Sequence, residues 1–216
     1  MNTLALIARK PGLSRAAFRA HYEETHAPLG LRVMSGLQRY VRHHVAEQLH
    51  GAAGFDVVTS FSYRDAAALH AVIARLATPA GDAVLRDELT FMDKPRNTFF
   101  AVRDAGERGA RDRAAPLQGI ALVKRASAQA ASEFRAAFAR RALPELHDAL
   151  RELRWSLHRE ALASFGEPAF DAVLQFHARG GPQLESWCAA REAEGARVVV
   201  VRVSECETPL PPGGLP

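Results

Sequence analysis

The sequence predicts an α+β protein built from two tandem βαββαβ units, each with an antiparallel sheet. Two observations predict this class: short apolar runs of strand length alternate with amphipathic segments of helix length, and the same order of segments occurs twice. Two cysteines in 216 residues are too few for a disulfide framework, which favours a cytoplasmic location. Nearly half of the residues (48%) are apolar, so each unit can form a core.

The internal repeat emerges when the two halves of the chain are aligned. The run LALIAR at 4–9 matches IALVKR at 120–125. Two further pairs of positions share the same offset: Phe18 with Phe134, and Pro28 with Pro144. The order and spacing of segments agree over most of each half, which predicts a tandem duplication.

Each half is predicted to run strand, helix, strand, strand, helix, strand, the order of a ferredoxin-like unit. The first helix begins at the N-cap Ser14 and ends at Pro28, and the second begins at the N-cap Asp65. The predicted strands of the first half are 4–9, 39–46, 55–61 and 98–103. Those of the second half are 120–125, 154–159, 170–177 and 197–203, with its second helix at 184–193.

Four segments follow from this assignment. Residues 1–104 form the unit that carries the candidate site, 105–116 a polar linker, 117–206 a degenerate second unit and 207–216 a tail rich in proline and glycine. The tail cannot form regular structure, so it is expected to be loose or to extend as an arm onto a neighbouring chain.

Both faces of each predicted sheet are largely apolar, so the face that the helices leave bare needs a cover. The expected cover is the other sheet, in a packing that encloses a barrel-like apolar interior suited to a small molecule. The strands lack the exposed aromatic and basic residues of an RNA-recognition domain, and the arginines are interspersed with acids, so no nucleic-acid partner is expected. No apolar run is long enough for a membrane span, and the N-terminal run reads as a strand, so a cytoplasmic location is expected.

Tyr22 and His26 lie four residues apart on the inward stripe of the first helix, and we predict that both are catalytic. Their counterparts in the second half are Phe138 and Ala142, which suggests a buried position. A buried tyrosine and histidine need polar partners, and histidine is a common general acid or base. The alternative is a structural histidine near a helix C-terminus, where imidazolium suits the helix dipole.

Tyr40, Arg42 and His44 share one face of the second strand because side chains alternate along a strand. We predict that they bind substrate, with the arginine holding a carboxylate or enolate and the tyrosine donating a hydrogen bond. The alternative is a solvated sheet edge. The counterparts of these three residues in the second half are Ser156, His158 and Glu160.

The first half carries an insertion at 77–96 that the second half lacks. Among its residues are Asp87, Glu88, Phe91 and Asp93. Such an insertion often forms a lid or a site wall. Phe91 is predicted to contact substrate, and Asp93 is predicted to orient a histidine or accept a proton; the alternative for Asp93 is a helix cap or surface acid.

Metal and nucleotide motifs are not found in the sequence. His21 and His26 are five residues apart, which is not the one-face spacing of a zinc pair on an α-helix. The sequence contains no Cys-x-x-Cys, phosphate loop or dinucleotide fingerprint. We therefore expect neither a metal nor a cofactor.

Several segments of the first half closely resemble the EthD family. They are RKPGLS at 9–14, FRAHY at 18–22, THAPL at 25–29, YVRHH at 40–44 and DELTFMD at 87–93. The resemblance covers residues 3–104 directly and 117–205 only through the repeat. It implies a ferredoxin-like fold of the dimeric α/β-barrel superfamily, in which paired units form a barrel.

The resemblance also implies functions. Relatives include proteins associated with ether degradation and cofactor-free enzymes that isomerise, dehydrate, cyclise or oxygenate small aromatic or polyketide-like molecules. An acidic residue and a tryptophan are common in the family's third strand, where this sequence has Ser60 and Ser62, which argues against a glutamate-dependent mechanism. Some superfamily relatives bind haem through a histidine. The available histidines are His70, His147 and His158, and nothing in the sequence singles one out.

The functional expectation is a cofactor-independent isomerase, dehydratase, cyclase or oxygenase that acts on a small aromatic, lactone or polyketide-like molecule. His26 would be the general acid/base. The alternative is a non-catalytic protein that binds a small hydrophobic ligand, or an accessory protein of a degradation pathway. A homodimer is expected in either case, and the sequence leaves open whether the protein is an enzyme.

Overall fold

The structure is a computed structural model that describes residues 1–164 and 166–215. The chain forms two compact units. The first comprises Met1–His44, Gly54–Phe99 and the segment that begins at Glu205, and the second comprises Val45–Ala53 and Phe100–Ser204. Each unit contains helices and antiparallel strands, so the predicted α+β class is confirmed.

Eight strands are found in the described chain: β1 (Asn2–Ile7), β2 (Leu37–His50), β3 (Val57–Tyr63), β4 (Thr98–Gly109), β5 (Leu117–Lys124), β6 (Trp155–Leu162), β7 (Ala172–Ala178) and β8 (Arg197–Glu207). Its helices are α1 (Arg15–His21), α2 (Ala27–Leu31), α3 (Ala66–Leu76), α4 (Asp82–Phe91), α5 (Ala131–Ala137), α6 (Leu143–Ala149) and α7 (Leu184–Ala193). A π-helical turn joins α1 to α2 and another joins α5 to α6; they are Tyr22–His26 and Phe138–Ala142. None of the described helices is long and apolar enough to cross a membrane.

The predicted order of strands and helices is present in both halves, and the insertion at 77–96 contributes the additional helix α4. A duplication as the origin of the two halves stays a prediction, as does the manner in which their sheets meet.

In the first unit, β3 lies between β1 and β2. Thr59 of β3 pairs with Ala5 on one side and with Arg42 on the other. Because side chains alternate along each strand, Tyr40 and His44 share the face of Thr59, and this face meets the helices. The polar residues predicted on β2 therefore lie between the sheet and the helix layer.

In the second unit, the strand order is β8–β5–β7–β6–β4, and all of these pairs are antiparallel. Apolar residues of β5 and β7 pack against α5, α6 and α7, with Trp187 and Leu146 in the core. The segment 105–109, which we predicted to belong to a linker, is the end of β4 and pairs with β6. Its residues are exposed, so the segment lacks the apolar pattern by which a strand is predicted from sequence.

The prediction that Pro28 ends the first helix is wrong. The turn Tyr22–His26 has π-helical hydrogen bonding, in which the N–H of Ala27 donates to the carbonyl of Tyr22. Pro28 then stands in the first turn of α2, where its missing N–H is tolerated, and the helix continues to Leu31. The π turn thus allows α2 to begin directly after it, so that a proline can follow without ending the helical segment.

The second unit repeats this device. The N–H of Leu143 donates to the carbonyl of Phe138, and Pro144 follows in the first turn of α6. The backbone geometry is shared although the inward side chains of the two turns differ.

The tail from 208 onward is neither loose nor an arm on another chain. The N–H of Leu215 donates to the carbonyl of Leu37 at 2.7 Å, and the N–H of Gly36 donates to the carbonyl of Leu215 at 3.1 Å. Leu210 and Leu215 pack against the core of the first unit. Two apolar anchors and these backbone bonds fix the tail, and its last residue, Pro216, is outside the described chain.

We expect Ser14→Ala to lower the free energy of unfolding by about 1 kcal/mol, because the Ser14 hydroxyl accepts the N–H of Ala17 at the start of α1. Chemical denaturation monitored by circular dichroism measures the change. The matched control is Ser127→Ala, an exposed serine ahead of α5, whose N-cap is Ala130. Equal losses in both variants would contradict a capping role for Ser14.

Candidate functional site

The first unit gathers polar side chains between its sheet and its helices. Tyr22 and His26 come from the π turn, and Arg42 and His44 come from β2. All four are at least nine-tenths buried. Buried polar groups must find partners within the protein, so the hydrogen bonds of this layer define its chemistry.

Asp87 of α4 joins two histidines. Its carboxylate contacts His26 Nδ1 at 2.8 Å and His21 Nε2 at 2.7 Å, one with each oxygen. The five-residue spacing of the two histidines places them apart on a regular α-helix, but the π turn between them brings both within reach of one carboxylate. The spacing argument of the sequence analysis assumed a regular α-helix, and the π turn departs from that geometry.

His26 is 5% exposed, and burial lowers its pKa below the ordinary value of 6.5, although the hydrogen bond to Asp87 acts in the opposite direction. The ring is therefore neutral at pH 7. Because Asp87 accepts a hydrogen bond from Nδ1, we assign the ring proton to Nδ1. This tautomer leaves a basic lone pair on Nε2.

Phe91 closes the site from α4. Its ring centroid lies 5.0 Å from that of His26, 4.6 Å from that of His21 and 5.7 Å from that of Tyr22. The ring is buried and belongs to the apolar core of the unit. It walls the histidine pair, and its predicted contact with substrate stays a prediction.

The tyrosine hydroxyls form a short chain of hydrogen bonds. Tyr22 and Thr59 share a hydrogen bond of 3.0 Å between their hydroxyl oxygens, and the hydroxyls of Tyr40 and Tyr22 also bond to each other. Burial raises the pKa of Tyr22 and raises that of Tyr40 well above its ordinary value. Both side chains are thus neutral hydrogen-bond donors at physiological pH.

Glu23 holds together the polar residues of β2. Arg42 Nε donates to Glu23 Oε1 at 3.1 Å, Arg42 Nη2 donates to Glu23 Oε2, and His44 Nε2 contacts Glu23 Oε1 at 2.6 Å. Burial alone would raise the pKa of Glu23, but the hydrogen bonds from His44 and Arg42 outweigh it and lower the pKa from 4.5 to about 2. Burial likewise opposes the charge of Arg42, yet its hydrogen bonds with Glu23 raise its pKa.

The alternative of a solvated edge for β2 is wrong. Tyr40 is 1% exposed, and Arg42 and His44 are each 4% exposed. Arg42 also donates to the hydroxyl of Thr208 and to the carbonyl of Tyr40. A ligand carboxylate or enolate at Arg42 would have to displace one of these internal partners.

Three side chains of this region could hold a metal by their spacing. Ligand atoms of Glu23, His44 and Cys206 lie within 4.8 Å of one another. However, Glu23 is ion-paired with Arg42, and Arg19 Nη2 contacts Cys206 Sγ at 3.4 Å. Two guanidinium groups beside the cluster oppose the binding of a further cation.

The acid that holds His26 is Asp87, and Asp93 has other contacts. The backbone N–H of Asp93 donates to the carbonyl of Ala8, and its carboxylate lies 3.8 Å from the guanidinium of Arg96. Asp87 lies one helical turn before Phe91 on α4, so the two share a helix face. Its spacing from Phe91 is the signal that could have identified it.

Sequence reasoning missed other members of the site. Glu23, Thr59 and Thr208 each bond to a predicted site residue, and the Sγ of Cys206 lies within 4.8 Å of the ligand atoms of Glu23 and His44. Glu23 is next to Tyr22, and a strand-face argument would have placed Thr59 opposite Arg42. No local sequence pattern identifies Cys206 and Thr208, because they are far along the chain from the other residues of the site.

The histidines considered for haem do not form a haem pocket. His70 is exposed on α3, and His147 Nε2 is bonded to the hydroxyl of Ser156 at 3.0 Å. His158 is buried with its Nε2 unpaired, and its ring lies 5.1 Å from that of Phe138. The cavity that Phe138 lines holds about 90 Å³, too small for a porphyrin.

We expect the free energy of unfolding to fall by about 2 kcal/mol as the pH is lowered from about 4.5 to about 2, because Glu23 has a depressed pKa in the folded state. Its contribution is complete above the pKa of the unfolded chain and is lost as the pH falls through the folded pKa. Glu23→Gln should remove this part of the pH dependence in denaturant titrations.

The exposed neighbour Glu24 supplies the control for this measurement. Glu24→Gln should leave the pH dependence of stability close to that of the wild type. An acid profile of Glu23→Gln that coincides with the wild-type profile would show that the Glu23 network does not contribute to stability.

Residues 10–95 match the model of the EthD domain. No curated protein matches the sequence. Among solved structures, an anthrone oxidase-like protein superposes with a TM-score of 0.65 at 11% identity, over 95% of this chain and 92% of that chain. A proposed monooxygenase of Lactobacillus acidophilus NCFM has a TM-score of 0.50 at 10% identity, over 96% and 94% of the two chains.

At these identities the two structures show a common fold and nothing further. An ethyl tert-butyl ether D (EthD) family protein of Bacillus halodurans C-125 is 27% identical, with a TM-score of 0.36. The match covers 46% of this chain and 93% of that protein. The resemblance that the sequence motifs indicated is confirmed over residues 10–95, the part of the chain that matches the EthD domain.

Proposed function

We propose that the first unit is a general acid/base site that moves a proton next to a carbonyl group of a small aromatic, lactone or polyketide-like molecule. The observation that carries the proposal is the buried His26, bonded through Nδ1 to Asp87 at 2.8 Å. A buried imidazole held by a carboxylate has a fixed tautomer and a stabilised protonated form, which are the properties of a catalytic base.

In the proposed reaction, Nε2 of His26 removes a proton from carbon, and the electron pair passes to the carbonyl oxygen as an enolate. The imidazolium is stabilised by Asp87. It then returns the proton to another carbon in an isomerisation, or to a departing hydroxyl group in a dehydration. In both reactions the atoms and electrons balance without an external oxidant or reductant.

The enolate oxygen needs hydrogen-bond donors. The ring centroids of Tyr22 and His26 are 5.1 Å apart, and we propose the hydroxyl of Tyr22 as the donor. Tyr40 donates into the same hydroxyl chain and would support its polarity. Arg42 is engaged by Glu23, and we propose that it stabilises the layer electrostatically and does not bind the enolate directly.

An oxygenase reaction is a second form of the same chemistry. A carbanion that is stabilised by an aromatic ketone can react with dioxygen directly; anthrone and O₂ give anthraquinone and water, which balances. The solved neighbours named anthrone oxidase-like and monooxygenase share the fold of this chain, which makes anthrone a reasonable probe. The same base, His26, would remove the proton that starts the reaction.

The non-catalytic alternative is favoured by a specific observation. Tyr22, Arg42 and His44 already bond to other side chains of the unit, as they would in a structural polar layer. In that case the unit would only bind a small hydrophobic ligand. Self-association of the whole chain as a homodimer remains a proposal under either function.

We expect His26→Ala to lower kcat/KM for oxygen-dependent conversion of anthrone by about 10² to 10⁴, since general base catalysis contributes roughly that factor. Asp87→Asn should also lower kcat/KM, because a neutral amide stabilises the imidazolium of His26 less than the carboxylate does. The formation of anthraquinone is followed by absorbance against an enzyme-free blank. The control is His70→Ala, which removes an exposed histidine of α3.

Circular dichroism and thermal unfolding establish that the variants are folded. Should His26→Ala unfold, His26→Asn retains a polar group at the same place. A folded His26 variant with wild-type turnover would reject the proposal. Saturable anthrone binding without turnover in the wild type would favour the ligand-binding alternative.

The pH profile of kcat/KM should have an acid limb with a midpoint below 6.5, because the base must be neutral and burial lowers the pKa of His26. The hydrogen bond to Asp87 raises the pKa of His26, so Asp87→Asn should move this limb to lower pH. His70→Ala should leave it in place. A limb that moves to higher pH in Asp87→Asn would contradict the assignment of His26 as the base.

A further inference from the structure

The helix layer of the second unit contains a cavity of about 90 Å³ that is partly open to solvent. It lies where the π turn between α5 and α6 faces β5. Its apolar lining consists of Val123, Phe134, Ala137, Phe138, Ala142 and Ala196. No residue of the candidate site in the first unit contributes to it.

Four of the lining residues are counterparts of residues in the first unit at the offset of the sequence repeat. The pairs are Phe134 with Phe18, Ala137 with His21, Phe138 with Tyr22, and Ala142 with His26. In the first unit these four side chains surround the ring of Phe91, with centroid distances of 5.4, 4.6, 5.7 and 5.0 Å in that order. The cavity therefore occupies the place that corresponds to an aromatic ring.

Among the described residues of the second unit, none supplies a counterpart of the Phe91 ring at this place. Phe91 belongs to α4, the helix of the insertion between α3 and β4. In the second unit the chain passes from α7 to β8 through residues 194–196. Replacement of two histidines by alanines and the lack of a counterpart of α4 together leave the space open.

We propose that this cavity is a binding site for a single uncharged aromatic ring. The rings of Phe134 and Phe138 are 5.6 Å apart and tilted by 36°, and aromatic rings attract one another at such separations. The methyl groups of Ala137 and Ala142 complete an apolar wall. The cavity also has polar lining residues, namely Gln129, Arg141, Arg191 and Glu194. The apolar part of the lining offers water no hydrogen-bond partner, so this part favours an apolar guest.

The polar residues at the rim argue against a charged ligand. Arg191 Nη1 donates to Glu145 Oε2 at 2.6 Å, and Arg191 Nε lies 3.2 Å from Glu194 Oε2. Arg141 is paired with the same Glu194. The guanidinium charges at the rim are thus neutralised within the unit, and a carboxylate on the ligand would have to displace an internal acid.

Benzene is the probe for the test, with the full-length chain carrying ¹³C-labelled alanine methyl groups. We expect saturable shifts of the Ala137 and Ala142 methyl signals with a Kd on the order of 1 mM, as six carbon atoms in an apolar site allow. Ala142→Leu should weaken this binding at least tenfold by filling the space. The control Ala190→Leu alters an exposed position of α7 and should leave it unchanged.

If Ala142→Leu does not fold, Ala137→Leu fills the same cavity from its mouth. The wild-type titration is decisive by itself in either case. No saturable shift of the two methyl signals up to the solubility of benzene would overturn the proposal, as would shifts confined to alanines of the first unit. Both outcomes are independent of the catalytic assay, since the proposal does not rest on the chemistry of His26.

Discussion

The carboxylate of Asp87, shared between His21 and His26, is the interaction on which the first unit depends. It requires the π turn, since a regular α-helix would direct the two rings to different sides. It also requires α4, because the carboxylate comes from the insertion. Once α4 is held there, Phe91 lies against both histidine rings and closes the layer from solvent. One acid thus links the π turn to the inserted helix and fixes the orientation of a buried base.

The remaining polar groups of this layer follow from the cost of burying charge. Arg42 and Glu23 neutralise each other, His44 adds a second hydrogen bond to Glu23, and Tyr22 finds its partners in Thr59 and Tyr40. If Glu23 were removed, a buried guanidinium would be left without its counterion. Such a network can be kept for stability alone. The His26 and Asp87 pair differs from it because the imidazole retains a lone pair that the structural role of the ring does not use.

The sequence predicted what local patterns encode. The N-caps at Ser14 and Asp65, the order of strands and helices, and the shared face of Tyr40, Arg42 and His44 all follow from periodicity and capping. No periodic pattern in the sequence predicts the π turn. Its only trace in the sequence is a proline at a position that proves to be inside a helix. The choice of Asp87 over Asp93 depends on how α4 packs, and the contacts of Cys206 and Thr208 depend on where the end of the chain returns. These are long-range placements, which local patterns do not specify.

The two helix layers show two solutions to one packing problem. Each has a π turn before a proline, and each leaves room beside that turn for about one aromatic ring. The first unit fills the room with Phe91 from its own insertion, and the helix that brings this ring also brings the acid that a buried histidine needs. The described part of the second unit has no such helix between α7 and β8, and it has alanines where the first unit has histidines. The two differences are coupled physically. Without α4, a histidine at the position of Ala142 would lack the counterpart of Asp87, and with alanine at this position the space for a ring stays open.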